Sequence, residues 1–447
     1  PGYYHRLNAD GTVANSTCCD NTATEHAMMA RLMIDSAVLW AREYRIASFR
    51  FDLMGHQPRA AMERLKTAVR EATGRDVQLF GEGWNFGEVA NGARFRQAAQ
   101  GQLDGTGIGA FGDKMRDAVR GGSGFDGGEA LVANQGFING IHVAPNALSG
   151  NVPLNELRWR GDLIRAALAG SLREYRLRTH WDALLPLSEL GGAGFAKEPD
   201  EVVNYVENHD NATLYDVNVY KLPLSTSTEE RARVQNLGSA LVAFSQGIAY
   251  FHAGQEILRS KSLDRNSYDA GDWFNKLDWT YTDNNFGVGL PRQSDNGNNW
   301  TVMKPLLANP ALKPRPQDIA WTREAFHDLL RIRAGTTLLR LRTAADIQAR
   351  LTLLNTGPNQ VPTVVGAHID GQGYAGARFK ELAYFVNVHP SEAQTVTVEA
   401  LKGRPFVLHP VHRAPTAADG RARQATYLPA TGAFAVPPRT AVVFVVE

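Results

Sequence analysis

Cysteine is nearly absent from this chain: two occur in 447 residues, and they are neighbours, Cys18 and Cys19. That excludes a disulfide framework, and two adjacent thiols alone make a poor metal site. The pair can close a strained ring that stiffens a turn, or stand as two free thiols; composition does not choose between them. An excess of one charge is missing too. Lys and Arg number 47 against 46 for Asp and Glu, a net charge of +1. The signs are interleaved, so no basic face is offered to nucleic acid or to an anionic membrane. No apolar run approaches the roughly 20 residues of a membrane span. Internal repeats and low-complexity segments are lacking, as are a basic-then-apolar leader and an initiator Met before Pro1-Gly2-Tyr3-Tyr4. Such an opening suggests a chain cut from something longer. What remains is ordinary: 43% hydrophobic and 21% charged residues, enough for a large core and more than one domain.

The stretch that organises the rest is Ile46-Ala47-Ser48-Phe49-Arg50-Phe51-Asp52-Leu53-Met54-Gly55-His56. Its β-branched and aromatic first half reads as a strand. Arg50 and Asp52, two residues apart, fall on one side of the chain at the strand's carboxyl end. A fixed cation beside Asp52 keeps that carboxylate ionised, which suits a nucleophile. The plain alternative is a structural Arg–Asp pair capping a strand.

Around it, helical spacing predicts helices over residues 25–44, 58–73, 161–178, 229–245 and 321–333. Strands are predicted over 76–84, 201–211 and 247–251, with a short one near 107–111. The rest of the span to about 155 reads as Gly-rich and irregular, and 259–318 as a polar loop. From about 343 the pattern changes to short alternating runs, 382–388, 395–398 and 440–446, the mark of an antiparallel β-domain. The expected architecture is α/β. About five strand–helix units over residues 1–340 read either as an open sheet or as a partial (β/α)8 TIM barrel lacking its N-terminal strands, and a C-terminal antiparallel β-sandwich follows over 341–447.

Three carboxylates, Asp52, Glu82 and Asp210, each end a different predicted strand, and in a parallel barrel such ends share one face. Two carboxylates about 5–5.5 Å apart suit a double displacement at a sugar's anomeric carbon. Asp52 beside Arg50 is then the nucleophile. Glu82, between Gly81 and Gly83 and near Phe80 and Trp84, is the group to hold a proton and act as acid, then base. His209 and Asp210 would bond sugar hydroxyls and stabilise developing positive charge, and Trp84 offers a face for stacking. For each of these alone, a structural carboxylate is the bland reading.

The strings FRFD, GEGW and VENHDN resemble three short conserved regions of the α-amylase superfamily, glycoside hydrolase family 13. SFRFDLMGH, GTGIGAFGDKMRDAVRGG, NYVENHDN and LRSKSLDRNSYDAGDWFN narrow the resemblance to its pullulanase-type members, which cut α-1,6 branch linkages. The likeness begins at YYHRLN and runs nearly the whole chain. It implies Asp52 as nucleophile, Glu82 as general acid/base and Asp210 as transition-state stabiliser. It places Arg50, Trp84, His209, Asn211, Arg292 and Asp295 at substrate-binding positions. It also implies a vicinal disulfide between Cys18 and Cys19, a branched α-glucan as partner, a monomer, and export to an extracellular, cell-surface or periplasmic location. No cofactor is implied for the chemistry. Calcium can serve structurally in such relatives, although no ligand spacing here marks a metal site.

The superfamily's earlier Asp–Asn–His motif and first barrel strands are absent from these residues. An isoamylase or glycogen-debranching relative is the nearest alternative, which YYHRLN, the paired Cys and DAGDWFN disfavour. A non-catalytic carbohydrate-binding protein on an amylase barrel is the alternative from another class, disfavoured because all three carboxylates are retained; an inactive fragment on such a barrel is the other form of that alternative.

Overall fold

Residues 2–447 are described by a computed structural model, and compactness divides the chain into two units. One takes in residues up to Gly112 together with Phe195–Val203; the other comprises Asp113–Gly194 and Asn204–Glu447.

In the first unit, β1 (Ser48–Phe51), β2 (Gln78–Gly81) and β3 (Ile108–Phe111) pair in parallel. Arg50 stands opposite Phe80 and Phe51 opposite Gly81, so β1 and β2 end level with one another. Parallel neighbours need a crossover, and α2 (Arg59–Thr73) supplies it. Its buried stripe, Ala61, Met62, Leu65 and Val69, follows helical spacing, and Gly74 stops it with a left-handed φ of 65°. Met62, Leu65 and Val69 share a core with Leu79, Ile108 and Ala110 of the sheet. Ahead of β1 lies α1 (Ala27–Glu43), which buries Ala30, Ala37 and Ala41. Its Leu32, Leu39 and Trp40 are exposed. β1 is the edge of the parallel sheet.

The second unit opens with α3 (Asp113–Arg120), inside the span read as irregular. Met115, Ala118 and Val119 give it an apolar side too short to stand out between glycines. The helix expected over 161–178 lies earlier, at Leu154–Leu168, because Gly170 turns left-handed at φ 73° and breaks the periodicity. Past that break come the antiparallel β4 (Arg176–Arg178) and β5 (Leu184–Pro186). The strand expected over 201–211 is only β6 (Val202–Asn204). Val202 and Val203 of β6 belong to the first unit and pair with Ala110 and Phe111; Asn204 belongs to the second. There Tyr250 N, directly after β7 (Ile248–Ala249), donates to Asn204 O at 3.0 Å. The segment read as a polar loop holds several short helices, Trp300–Leu307 the longest among them. The last long helix starts at Pro316, a residue suited to a first helical turn, and ends at Ala334.

The largest core wraps the helix Thr228–Phe244, buried without a gap from Arg231 to Phe244. Leu329 and Ile332, then Val365, Tyr384 and Val443 of the C-terminal strands, complete it. Those strands are β8 (Leu351–Leu354), β9 (Val364–Asp370), β10 (Glu381–Asn387), β11 (Gln394–Thr397), β12 (Val407–Leu408), β13 (Thr426–Leu428), β14 (Ala433–Val436) and β15 (Thr440–Val446). They form antiparallel sheets of order β12-β15-β10-β9-β8 and β11-β14-β13, which share Phe385, Phe434 and Phe444 in one apolar cluster. Helices with parallel strands, then antiparallel sheets, is the class the residue pattern implies. No helix among the described residues is long and apolar enough to cross a membrane.

Candidate active site

The first unit gathers Arg50, Asp52, Glu82 and Trp84 where β1 and β2 end. Arg50 projects from β1, and its Nη1 donates to Asp52 Oδ1. Its Nη2 lies 3.4 Å from Glu82 Oε2. One guanidinium therefore stands between the two carboxylates, with its carbon 5.9 Å from the Phe111 ring centre. The carboxylates meet water differently: the Asp52 side chain is 66% exposed and that of Glu82 only 10%. Directly after Asp52, Leu53 takes a left-handed φ of 46° and aims its N–H at Glu82 Oε2, 2.7 Å away. Trp84 Nε1 donates to Glu82 Oε1 at 3.4 Å. Close backbone approach makes this possible. A Cβ on Gly55 would stand 2.0 Å from Trp84 O, and one on Gly81 would stand 2.3 Å from Phe51 O.

Behind this group lies a polar cluster that the sequence reading did not assign. Buried Arg6 binds Glu25 and Glu88, each at 2.8 Å, and donates to His56 O. Asn21 Nδ2 donates to Glu88 at 3.0 Å, and Ser16 Oγ donates to Glu88 Oε2 at 2.5 Å. These bonds outweigh burial and hold the Glu88 carboxyl down at about 2. Burial lowers the His56 imidazole below its usual value. Thr17 Oγ1 lies 3.3 Å from His56 Nε2. Ser16 and Thr17 lead straight into Cys18 and Cys19, which are joined by a disulfide. The available signal was a Glu, Glu88, six residues past Glu82 and flanked by Gly87 and Val89.

The second unit carries His209, Asp210 and Asn211 on the loop after β6. The strand stops because its residues turn to bonds of another kind. Buried Glu207 accepts from Leu214 N at 2.8 Å, and its other oxygen lies 2.7 Å from His252 Nδ1. Asn208 Oδ1 accepts from Tyr250 Oη at 3.1 Å and from His209 N at 2.8 Å. Arg120 donates to the carbonyls of Val206 and Ala212. Lys261 Nζ donates to His209 O at 2.8 Å. The side chains of His209 and Asp210 remain about half exposed, 3.5 Å apart. Asn211 has a left-handed φ of 63°. Beneath the loop, Asp216 accepts from Ser260 Oγ and Lys261 N. Burial nevertheless raises its carboxyl to about 6 and lowers the Lys261 amine to about 8.

Arg292 and Asp295 form a third group, also in the second unit. Arg292 Nη2 pairs with Asp269 Oδ1 and lies 3.4 Å from Asp295 Oδ2. Ser294 and Asn266 donate to Asp295 and hold its carboxyl below the usual range. Glu207, Lys261 and Arg120 were not found from sequence; Glu207 follows the apolar pair Tyr205-Val206, while Lys261 stands among serines and Arg120 before two glycines. Among the described residues, no group of three or more His, Cys, Asp or Glu side chains is disposed to hold a metal ion.

Residues 281–447 match a family model described as Alpha-1,6-glucosidases, pullulanase-type, C-terminal. Pullulanase 1, chloroplastic, from Arabidopsis thaliana is 43% identical over 468 residues, covering 100% of this chain and 48% of that protein. Pullulanase from Klebsiella aerogenes is 41% identical over 388 residues, covering 84% of this chain and 34% of that protein. Among solved structures, PulA from Klebsiella oxytoca superposes with a TM-score of 0.91 at 35% identity, over 99% of this chain and 42% of its own. The maltotriose complex of PulA from Klebsiella pneumoniae gives 0.92 at 35%, over 99% of this chain and 48% of its own. The chain thus spans about half the length, or less, of these relatives.

Proposed function

We propose that this chain, which belongs to the pullulanase-type α-1,6-glucosidase family, carries the catalytic carboxylates of a debranching hydrolase that cuts α-1,6 linkages in pullulan, limit dextrins, amylopectin or glycogen. The observation that carries this reading is Arg50 standing between Asp52 and Glu82 at the level ends of adjacent parallel strands. The reaction is a retaining double displacement. Asp52 attacks the anomeric carbon as the bond to the leaving oxygen breaks, and Glu82 gives that oxygen its proton. Glu82 then takes a proton from water, which attacks the same carbon and releases Asp52 from the ester. Burial of Glu82 against exposure of Asp52 suits that division of work. Asp210 stabilises the oxocarbenium-like charge. Arg50, Trp84, His209, Asn211, Arg292 and Asp295 hold the glucan, and no cofactor enters the chemistry.

In the same reading, residues 1–340 are part of a (β/α)8 barrel and 341–447 a β-sandwich domain. The parallel order β1-β2-β3-β6, with the helix Arg59–Thr73 between β1 and β2 and an edge at β1, supports the barrel. The protein acts as a monomer outside the cytoplasm, where the Cys18–Cys19 bond persists. Calcium, if bound, serves the loops and not the reaction. The test is reducing-end release from pullulan by the full-length protein, with the anomeric configuration of the first product followed by NMR. No release, or an inverted product, overturns the reading.

A further inference from the structure

We propose that Lys261 is a positioning residue for Asp210: its buried amine, bonded to the His209 carbonyl, fixes the peptide unit from which Asp210 projects. This rests on the role given to Asp210 above. The carbonyl that Lys261 Nζ holds at 2.8 Å belongs to the bond joining His209 to Asp210. Restraining that peptide unit restrains the two backbone torsions that aim the Asp210 side chain. The loop is held at its ends by Glu207 on Leu214 N and by Arg120 on the carbonyls of Val206 and Ala212, and Asn208 Oδ1 accepts from Tyr250 Oη and His209 N. Lys261 acts in the middle.

The lysine is itself anchored. Its own N–H and the Ser260 hydroxyl both donate to Asp216, at 2.8 and 2.5 Å. Asp216 sits in the helix Leu214–Lys221, which begins as soon as the loop ends. Tether and loop are therefore referenced to the same helix, and Asp210 is placed relative to it. Lys261 is 1% exposed. Methionine or leucine would fill that space without desolvating an amine, so the donor is the property that justifies a lysine there.

The test compares wild type, Lys261→Met and Lys261→Arg in the full-length protein. Hydrogen exchange over residues 207–213 reads the tether independently of activity, and steady-state kinetics on pullulan reads its effect. Lys261→Met should exchange faster over 207–213 with exchange over 228–244 unchanged. Its kcat should fall about 10²-fold while KM stays within about twofold. Lys261→Arg, which keeps a donor, should recover most of kcat. In an Asp210→Asn background, assayed on α-maltotriosyl fluoride, Lys261→Met should lose at most about twofold more, since the group it aims is already disabled. A folded Lys261→Met with wild-type kcat and exchange overturns the proposal, as does an equal loss in both backgrounds. Should Lys261→Met not fold, Lys261→Arg decides: near-wild-type kcat supports the tether, and a loss with unaltered exchange overturns it. A wild type inactive on pullulan overturns the functional reading instead, and faster exchange in Lys261→Met would still uphold the tether.

Discussion

The backbone amide of Leu53 donates to the Glu82 carboxylate at 2.7 Å, so the residue next in chain to Asp52 holds the second carboxylate in place. The two groups cannot shift independently. Any change that moves the turn after β1 moves both.

Glu82→Gln should therefore keep glucan binding and lose hydrolysis of pullulan, by about 10²–10⁴-fold, the usual cost of removing a positioned proton donor. The amide of Gln still accepts from Leu53 N, so the turn stays where it is. Paired measurements of kcat and of oligosaccharide affinity check this; near-normal turnover would remove Glu82 from the role.

Asp52 should be the residue labelled when a fluorinated glucosyl donor arrests the reaction at the glycosyl ester. Peptide mapping after proteolysis locates the ester. A label on any other carboxylate counts against the assignment.

Gly55→Ala places a Cβ against the Trp84 carbonyl, 2.0 Å away with no flexible atom to yield. The turn must move, at a cost of about 1–3 kcal/mol. It drags with it the Gly55 N–H that bonds Glu82 O at 2.9 Å. A lowered Tm together with a lowered kcat is expected; full activity at wild-type Tm would contradict the close approach.

Glu88 gives a pH signature. Its folded-state value, about 2, lies below the ordinary 4.5. The stability it contributes is present above pH 4.5 and disappears as pH falls from there toward 2, on the order of 2–3 kcal/mol in all. Glu88→Gln should be less stable than wild type at neutral pH, and the gap should close across that acid window. Urea unfolding at a series of pH values measures it; a gap constant with pH would be the wrong result.

Glu230 on the long buried helix accepts from Arg421 at 2.6 Å and from Arg439 at 3.0 Å. Glu230→Ala leaves both guanidiniums without their carboxylate, and the loss expected is about 3 kcal/mol. A double-mutant cycle with Arg439→Ala should show strong coupling. Additive losses would mean that the pair contributes little.

The carboxylates at the ends of β1 and β2 were legible because a strand followed by Asp, or by Glu between glycines, leaves a local mark. The loop from 205 to 211 was not. Val202, Val203, Tyr205 and Val206 continue a strand-like apolar run, but all four are buried, and the chain leaves the sheet at Asn204. What holds it beyond that point is long-range and polar, Glu207 to His252 and Lys261 to His209. Such tethers have no period. The misplaced helix shows the same limit in reverse: Leu172, Tyr175 and Leu177 are buried and extend the apolar rhythm past Gly170, where one backbone torsion ends the helix.

The outward side of α1 carries Leu32, Leu39 and Trp40, with Tyr44 just beyond, all exposed, next in chain to an edge strand. Such a stripe governs how the purified chain behaves in bulk. Its second virial coefficient should be negative, turbidity should rise with kosmotropic salt, and Leu32→Glu together with Trp40→Glu should reverse both without touching the bonds around Glu82.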